Sequence, residues 1–134
     1  MTTKKIMAQK CDVDFEIRFV EGVLRHSPYF LEALSVLGDL YTKKGLLEKG
    51  LEVDQKLAEL KPFDPIIFYN LSCSYSLLND LENSFKALKR AVKYGYRDFA
   101  YMECDTDLNN LRRDDRFQKF LTEVKQNKKV KVSQ

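Results

Sequence analysis

DPIIFYNLSCSYSLLNDLENSFKALKRAVKYGY, residues 64–96, is the stretch whose reading decides the fold. Asp64 is a favoured helix N-cap, and Pro65 suits the first helical position, where a missing N–H is no loss. Phe68, Leu71 and Tyr75 follow at three- and four-residue steps, the spacing of one face of an α-helix. Asn79-Asp80 turns the chain. Leu81, Phe85, Leu88, Ala91 and Val92 then repeat the helical spacing. Gly95 closes the second helix, because glycine takes left-handed backbone at no steric cost.

The pattern recurs 34 residues earlier. Laying 31–64 over 65–98 matches Leu37 with Leu71, Tyr41 with Tyr75, Leu47 with Leu81, Glu48 with Glu82 and Asp64 with Asp98. Leu34 falls on Phe68, Gly38 on Ser72, Gly50 on Ser84 and Gly45 on Asn79. Leu34, Leu37 and Tyr41 predict one helical stripe, ended by Lys44-Gly45. Leu47, Leu51, Leu57 and Leu60 predict the next, stopped by Pro62. Upstream, Phe15, Phe19, Val20 and Val23 mark a helix running to Ser27-Pro28, with Ser27 as cap of the helix that follows. Downstream, Asp98 caps a helix to about Cys104, an acidic loop follows, and a last helix spans about Asp115 to Gln126.

These units resemble the tetratricopeptide repeat, whose period is 34 residues. Leu37-Gly38, Tyr41 and Pro62 carry the likeness in one unit, and Leu71-Ser72, Tyr75 and Ala91 in the next. The chain departs from the pattern where Leu34 and Phe68 replace Trp, Gly50 and Ser84 replace Ala, Asp54 replaces an aromatic and Tyr96 replaces Pro. The Asp105-Thr106-Asp107-Leu108 turn with Arg116-Phe117 resembles the unit that closes many such arrays. The resemblance implies an all-α protein, an α-α solenoid of stacked antiparallel helix pairs with about six to seven helices. Residues 12–126 are expected as a single domain of a partial repeat (12–30), two repeats (31–64, 65–98) and a capping unit (99–126). Residues 1–11 are expected as a flexible terminus or short helix, and 127–134 as a basic disordered tail.

In this family the first helices of successive repeats line a concave groove. By register the groove residues are Glu32, Ser35, Asp39 and Thr42, then Ile66, Tyr69, Asn70, Cys73 and Ser76, then Ala100, Glu103 and Asp107. Such a groove is acidic with an apolar and aromatic middle. It implies a protein or peptide partner with basic and apolar residues, docked helix-in-groove. Tyr69 is an anchor type, whereas Asn70 matches an asparagine that is more often structural. Family members that clamp acidic chain termini use cations where this chain has Ser35, Ala100 and Cys104. Asp39 stands where a second clamp asparagine belongs, so no such clamp is expected.

Composition narrows the function further. The net charge of +3 is concentrated in Lys125, Lys128, Lys129 and Lys131, and without them the rest sits near −1. A nucleic-acid cradle is therefore not expected, although contact of the tail with RNA or an anionic surface is an alternative. Cys11, Cys73 and Cys104 form no disulfide framework or CxxC pair, which points to reduced thiols and a cytoplasmic location. No apolar run spans a membrane. His26 sits at a helix end, where a cation suits the dipole. Asp105, Asp107, Asp114 and Asp115 lack the glycine and spaced glutamate of a calcium loop and read as turn and cap residues. No phosphate loop or nucleophile constellation is present. The expectation is a non-enzymatic binding module without cofactor or metal. Self-association as a homodimer is the other alternative.

Overall fold

A computed structural model describes the backbone of residues 2–133 and the side chains of residues 12–127. The expectations for residues 1–11 and 128–134 lie outside the residues described with side chains. The described chain is helical throughout, with no strand. It divides into two compact units, Met1–Pro62 and Phe63–Gln134.

The first unit holds α1 (Thr2–His26), α2 (Leu31–Lys44) and α3 (Leu47–Leu60). α2 and α3 are an antiparallel pair joined at Gly45, whose φ of 85° is the left-handed conformation that favours glycine. Leu34, Leu37 and Tyr41 are buried on α2, as the spacing predicts. The pair approaches closely because Gly38 and Gly50 face across it. A Cβ on Gly50 would lie 3.0 Å from the Thr42 hydroxyl, and one on Gly38 3.2 Å from Asp54 Oδ1.

Three expectations in this unit need correction. Ser27 does not cap α2. Its carbonyl accepts from the Phe30 amide at 3.2 Å in a turn, and α2 starts only at Leu31, with Phe30 at the cap position and no side-chain bond. The proline turn displaces the helix start beyond the reach of the serine. On α1, Phe15 and Phe19 point outward, at 61% and 63% exposure. Ile17 is buried instead, off that stripe, and the Tyr41 hydroxyl donates to Glu21 on the same side at 2.5 Å. On α3 the buried positions are Gly50, Val53, Asp54 and Leu57, while Leu60 is exposed. Leucines at 47 and 51 are only half-buried because the glycines take the closest approach.

The second unit holds α4 (Pro65–Leu77), α5 (Leu81–Lys93), α6 (Phe99–Cys104), a 3₁₀ turn (Thr106–Leu108), α7 (Asn109–Arg112) and α8 (Asp115–Ser133). Asp64 caps α4 as expected, accepting from the amides of Ile66 at 2.9 Å and Ile67 at 3.3 Å. Asp80 caps α5 through the Asn83 amide, and Asp98 caps α6 through the Tyr101 amide. Phe68, Leu71, Phe85, Leu88 and Ala91 form the core of the hairpin. Each of the larger side chains among them contributes about 2 kcal/mol through burial.

The expected acidic loop after Cys104 is instead the 3₁₀ turn and a single turn of helix, which raises the number of described helices to eight. Asp105 Oδ1 accepts from the Asp107 amide and starts the turn. Leu108 and Leu111 are fully buried and pin it. Arg112 donates to the carbonyls of Met102 and Asp105 at 3.0 and 2.8 Å.

Candidate interaction surface

The repeat-leading helices were expected to show one face to a partner, and each unit is taken by itself. In the first unit Glu32, Ser35 and Asp39 are all exposed on α2, at three- and four-residue steps. Val36 lies among them, also exposed. Glu32 and Asp39 make no ion pair among the described residues. Thr42 is half-buried, its hydroxyl donating to the Gly38 carbonyl at 3.1 Å.

In the second unit α4 divides the expected set. Ile66 is 56% exposed and Asn70 is exposed. Tyr69 and Cys73 are buried, so neither is open to a partner in the manner expected. The Tyr69 hydroxyl donates to Asp105 Oδ2 at 2.7 Å, and its ring stacks on Tyr96 with centroids 4.2 Å apart. The Cys73 thiol donates to the same carboxylate oxygen at 3.7 Å. Ser76 is also buried, and its hydroxyl accepts from the Leu111 amide. The closing segment covers this side of α4, and that is why these groove positions became core.

Burial and the Asp105 bond both disfavour ionisation of Tyr69, so its hydroxyl titrates far above the usual range. Tyr96 is pushed up to about 12, chiefly by burial. Asn70, being exposed, does not play the buried hydrogen-bonding role that the family resemblance favoured. Glu103 is exposed but accepts from Lys125 of α8, so its charge is compensated. Ala100 is exposed and Asp107 half-buried.

Two features escaped the sequence reading. Tyr101 of α6 is exposed beside Tyr69, with ring centroids 6.2 Å apart. Asp105, read as a turn residue, uses one oxygen for the turn and the other for Tyr69 and Cys73. Its position before Asp-Leu announced the first role, and only the tertiary fold supplies the second.

A family model described as "Tetratricopeptide repeat" matches residues 66–94, which run from the second residue of α4 to the C-cap of α5. The α4–α5 hairpin is thus matched as a tetratricopeptide repeat. Among curated proteins, the repeat chain is 34% identical over 84 residues to a chloroplastic protein of Arabidopsis thaliana. That alignment covers 60% of this chain and only a quarter of the plant protein. Among solved structures, a double mutant titled MamA RS-1 ArsTM superposes with a TM-score of 0.71 at 20% identity, over 96% of this chain and 72% of that one. MamA 41-end from Desulfovibrio magneticus RS-1 gives 0.69 at 23% identity, over 96% and 71%. At such identities the structures establish the shared fold alone, the α-α solenoid class built of antiparallel helix pairs.

Among the described residues no group of three or more His, Cys, Asp or Glu is placed to hold a metal ion. Arg25 and His26 lie in the last turn of α1. Asp114 serves the start of α8, accepting from the Arg116 amide at 2.9 Å and from its guanidinium. No helix among the described residues is long and apolar enough to cross a membrane.

Proposed function

We propose that the chain is a non-catalytic interaction or scaffold module, and that the exposed face of a repeat-leading helix, α2 in the first unit or α4 in the second, binds a protein segment. The observation that carries this reading is the exposed face that α2 keeps, and the shorter one left on α4 at Ile66 and Asn70. One side of each helix is core, while Glu32, Ser35, Val36 and Asp39 on α2, and Ile66 and Asn70 on α4, remain exposed. Small apolar groups among unpaired carboxylates suit a partner carrying apolar and basic residues. The family match supports a protein partner, since tetratricopeptide repeats are interaction units. Tyr69 and Cys73 act as scaffold in this reading.

A reducing compartment such as the cytoplasm fits the odd count and wide spacing of Cys11, Cys73 and Cys104 in the sequence. The plant relative is chloroplastic by name, and an organelle interior that keeps thiols reduced satisfies the same argument.

The test compares affinity capture by the natural chain and by an E32K/D39K/I66A/N70A variant, with circular dichroism showing both folded. A partner held only by the natural chain supports the reading. Identical captures would remove these faces from consideration.

A second reading, self-association, is favoured by one observation. Phe15 and Phe19 lie side by side on the outside of α1, ring centroids 6.4 Å apart. Exposed aromatic pairs of this kind mark contact surfaces. Light scattering at two concentrations, with Phe15→Ser/Phe19→Ser as control, decides it: a concentration-dependent mass that the control abolishes supports the reading.

A further inference from the structure

We propose that the outer face of α5 docks on the surface of an anionic lipid bilayer. Lys86, Lys89, Arg90 and Lys93 stand at positions i, i+3, i+4 and i+7, and all four are exposed. That spacing gathers them on one side of the helix over about 10 Å of its length. None makes an ion pair among the described residues. The acid of α5, Glu82, is engaged by Arg116 at 2.9 Å.

Like charges three and four residues apart destabilise a helix, so the repeat gains nothing from the stripe as a whole. Arg90 and Lys93 lie in the last turn, where the helix dipole favours cations. Lys86 and Lys89 lie before it and receive no such benefit. Lys89 Nζ stands 4.5 Å from the centre of the Phe85 ring, and the Arg90 guanidinium 5.8 Å from that of Phe68. The two rings are buried, so the stems pack on apolar ground while the charged heads face water.

An apolar anchor adjoins the end of the stripe. Phe63 is 72% exposed and meets the Tyr94 ring edge-on at 5.5 Å. Tyr94 in turn meets Phe68, the ring under Arg90, at 5.4 Å. A charged face with an exposed phenylalanine at its border is the composition of an interfacial membrane contact.

Lysine supplies three of the four cations, and protein interfaces are depleted in lysine and enriched in arginine. Single-stranded nucleic acid stacks successive bases on several exposed rings, and of Phe63, Tyr94, Phe68 and Phe85 beside this stripe one alone, Phe63, is exposed. A diffuse anionic surface has neither requirement. Each cation brought close to it raises partitioning about five-fold.

The test is co-sedimentation of the full chain with vesicles of phosphatidylcholine alone or mixed with phosphatidylglycerol. We expect binding to the mixed vesicles only, weakening as salt rises. K86Q/K89Q/R90Q/K93Q keeps good helix formers in place and should lose that binding by more than about a hundred-fold while keeping its circular dichroism. Phe63→Ser should weaken it about five-fold. A variant with Lys128, Lys129 and Lys131 changed to Gln should bind normally. Equal binding to both vesicle types, loss in the tail variant alone, or preferential capture by duplex DNA or poly-glutamate would overturn the proposal. The residues are disjoint from those on α2 and the outer side of α4, so either result leaves the protein-binding test independent.

Discussion

Ser72 and Ser84 each donate their hydroxyl to the other's backbone carbonyl, both at 2.8 Å, where α4 meets α5. Both side chains are fully buried. Thirty-four residues earlier the same two positions are Gly38 and Gly50, where an added methyl group would press on the Asp54 and Thr42 side chains at 3.2 and 3.0 Å. The two repeats thus solve one packing problem differently: by absence of side chain in the first, by reciprocal bonding in the second.

That difference predicts distinct mutational responses. Ser72→Ala/Ser84→Ala should cost about 2 kcal/mol, roughly 1 for each buried hydrogen bond. Gly50→Val should cost about 3 kcal/mol through overpacking against Thr42. Urea unfolding followed by circular dichroism measures both, and a neutral Gly50→Val would contradict the packing argument.

Tyr69 should behave as a core residue despite its groove register. Tyr69→Phe removes the donor to the buried Asp105 carboxylate and should cost about 2 kcal/mol. Ile66→Ala, at an exposed site, should change stability by less than about 0.5 kcal/mol. If the two variants unfold at the same urea concentration, Tyr69 is not anchoring the closing segment.

Alkaline pH should loosen the protein. Burial, then the bond to Glu21, push Tyr41 up to about 12, and Tyr96 is raised to a similar value. An unfolded tyrosine ionises near pH ~10. The folded state therefore holds these protons more tightly, so stability is fully present below about pH 10 and falls as pH rises towards about 12. Tyr41→Phe should flatten that decline. Denaturant midpoints measured across this range check the slope, and a rising midpoint would refute the assignment.

The acidic-terminus clamp should be absent. Ser35, Ala100 and Cys104 supply no cation, and Asp39 adds a negative charge to the exposed face of α2. Titration calorimetry with a peptide ending in acidic residues should show no binding at micromolar concentrations, and a clear isotherm would contradict this.

The helix pairs were legible because local signals agreed at each end. Asp64-Pro65 capped α4, Gly45 turned the chain, and the apolar steps matched the buried positions on α2 and, apart from the half-buried Tyr75, Leu81 and Val92, on α4 and α5. Which side of a helix faces inward was harder to read. On α1 the stripe of Phe15 and Phe19 lost to Ile17, since aromatic residues at helical spacing mark an apolar face without saying whether it is covered. Tyr69 was misplaced for a related reason. The repeat register assigns it to a groove, but the closing segment carries Asp105 and Tyr96 against it, a contact 36 residues distant in sequence for Asp105. Turn chemistry at Asp105 was readable and its second bond was not, because hydrogen bonds across such separations leave no local pattern.

The central claim is that the outer side of α4 meets a protein partner while its inner side is core. A photo-crosslinking amino acid at Asn70 tests this most directly, with the same group at the exposed Gln118 of α8 as comparison. The account predicts one dominant adduct from cell extract at position 70 that position 118 does not give and that Ile66→Lys abolishes. The same adducts from both positions, or none at position 70 under conditions where the natural chain captures its partner, would contradict it.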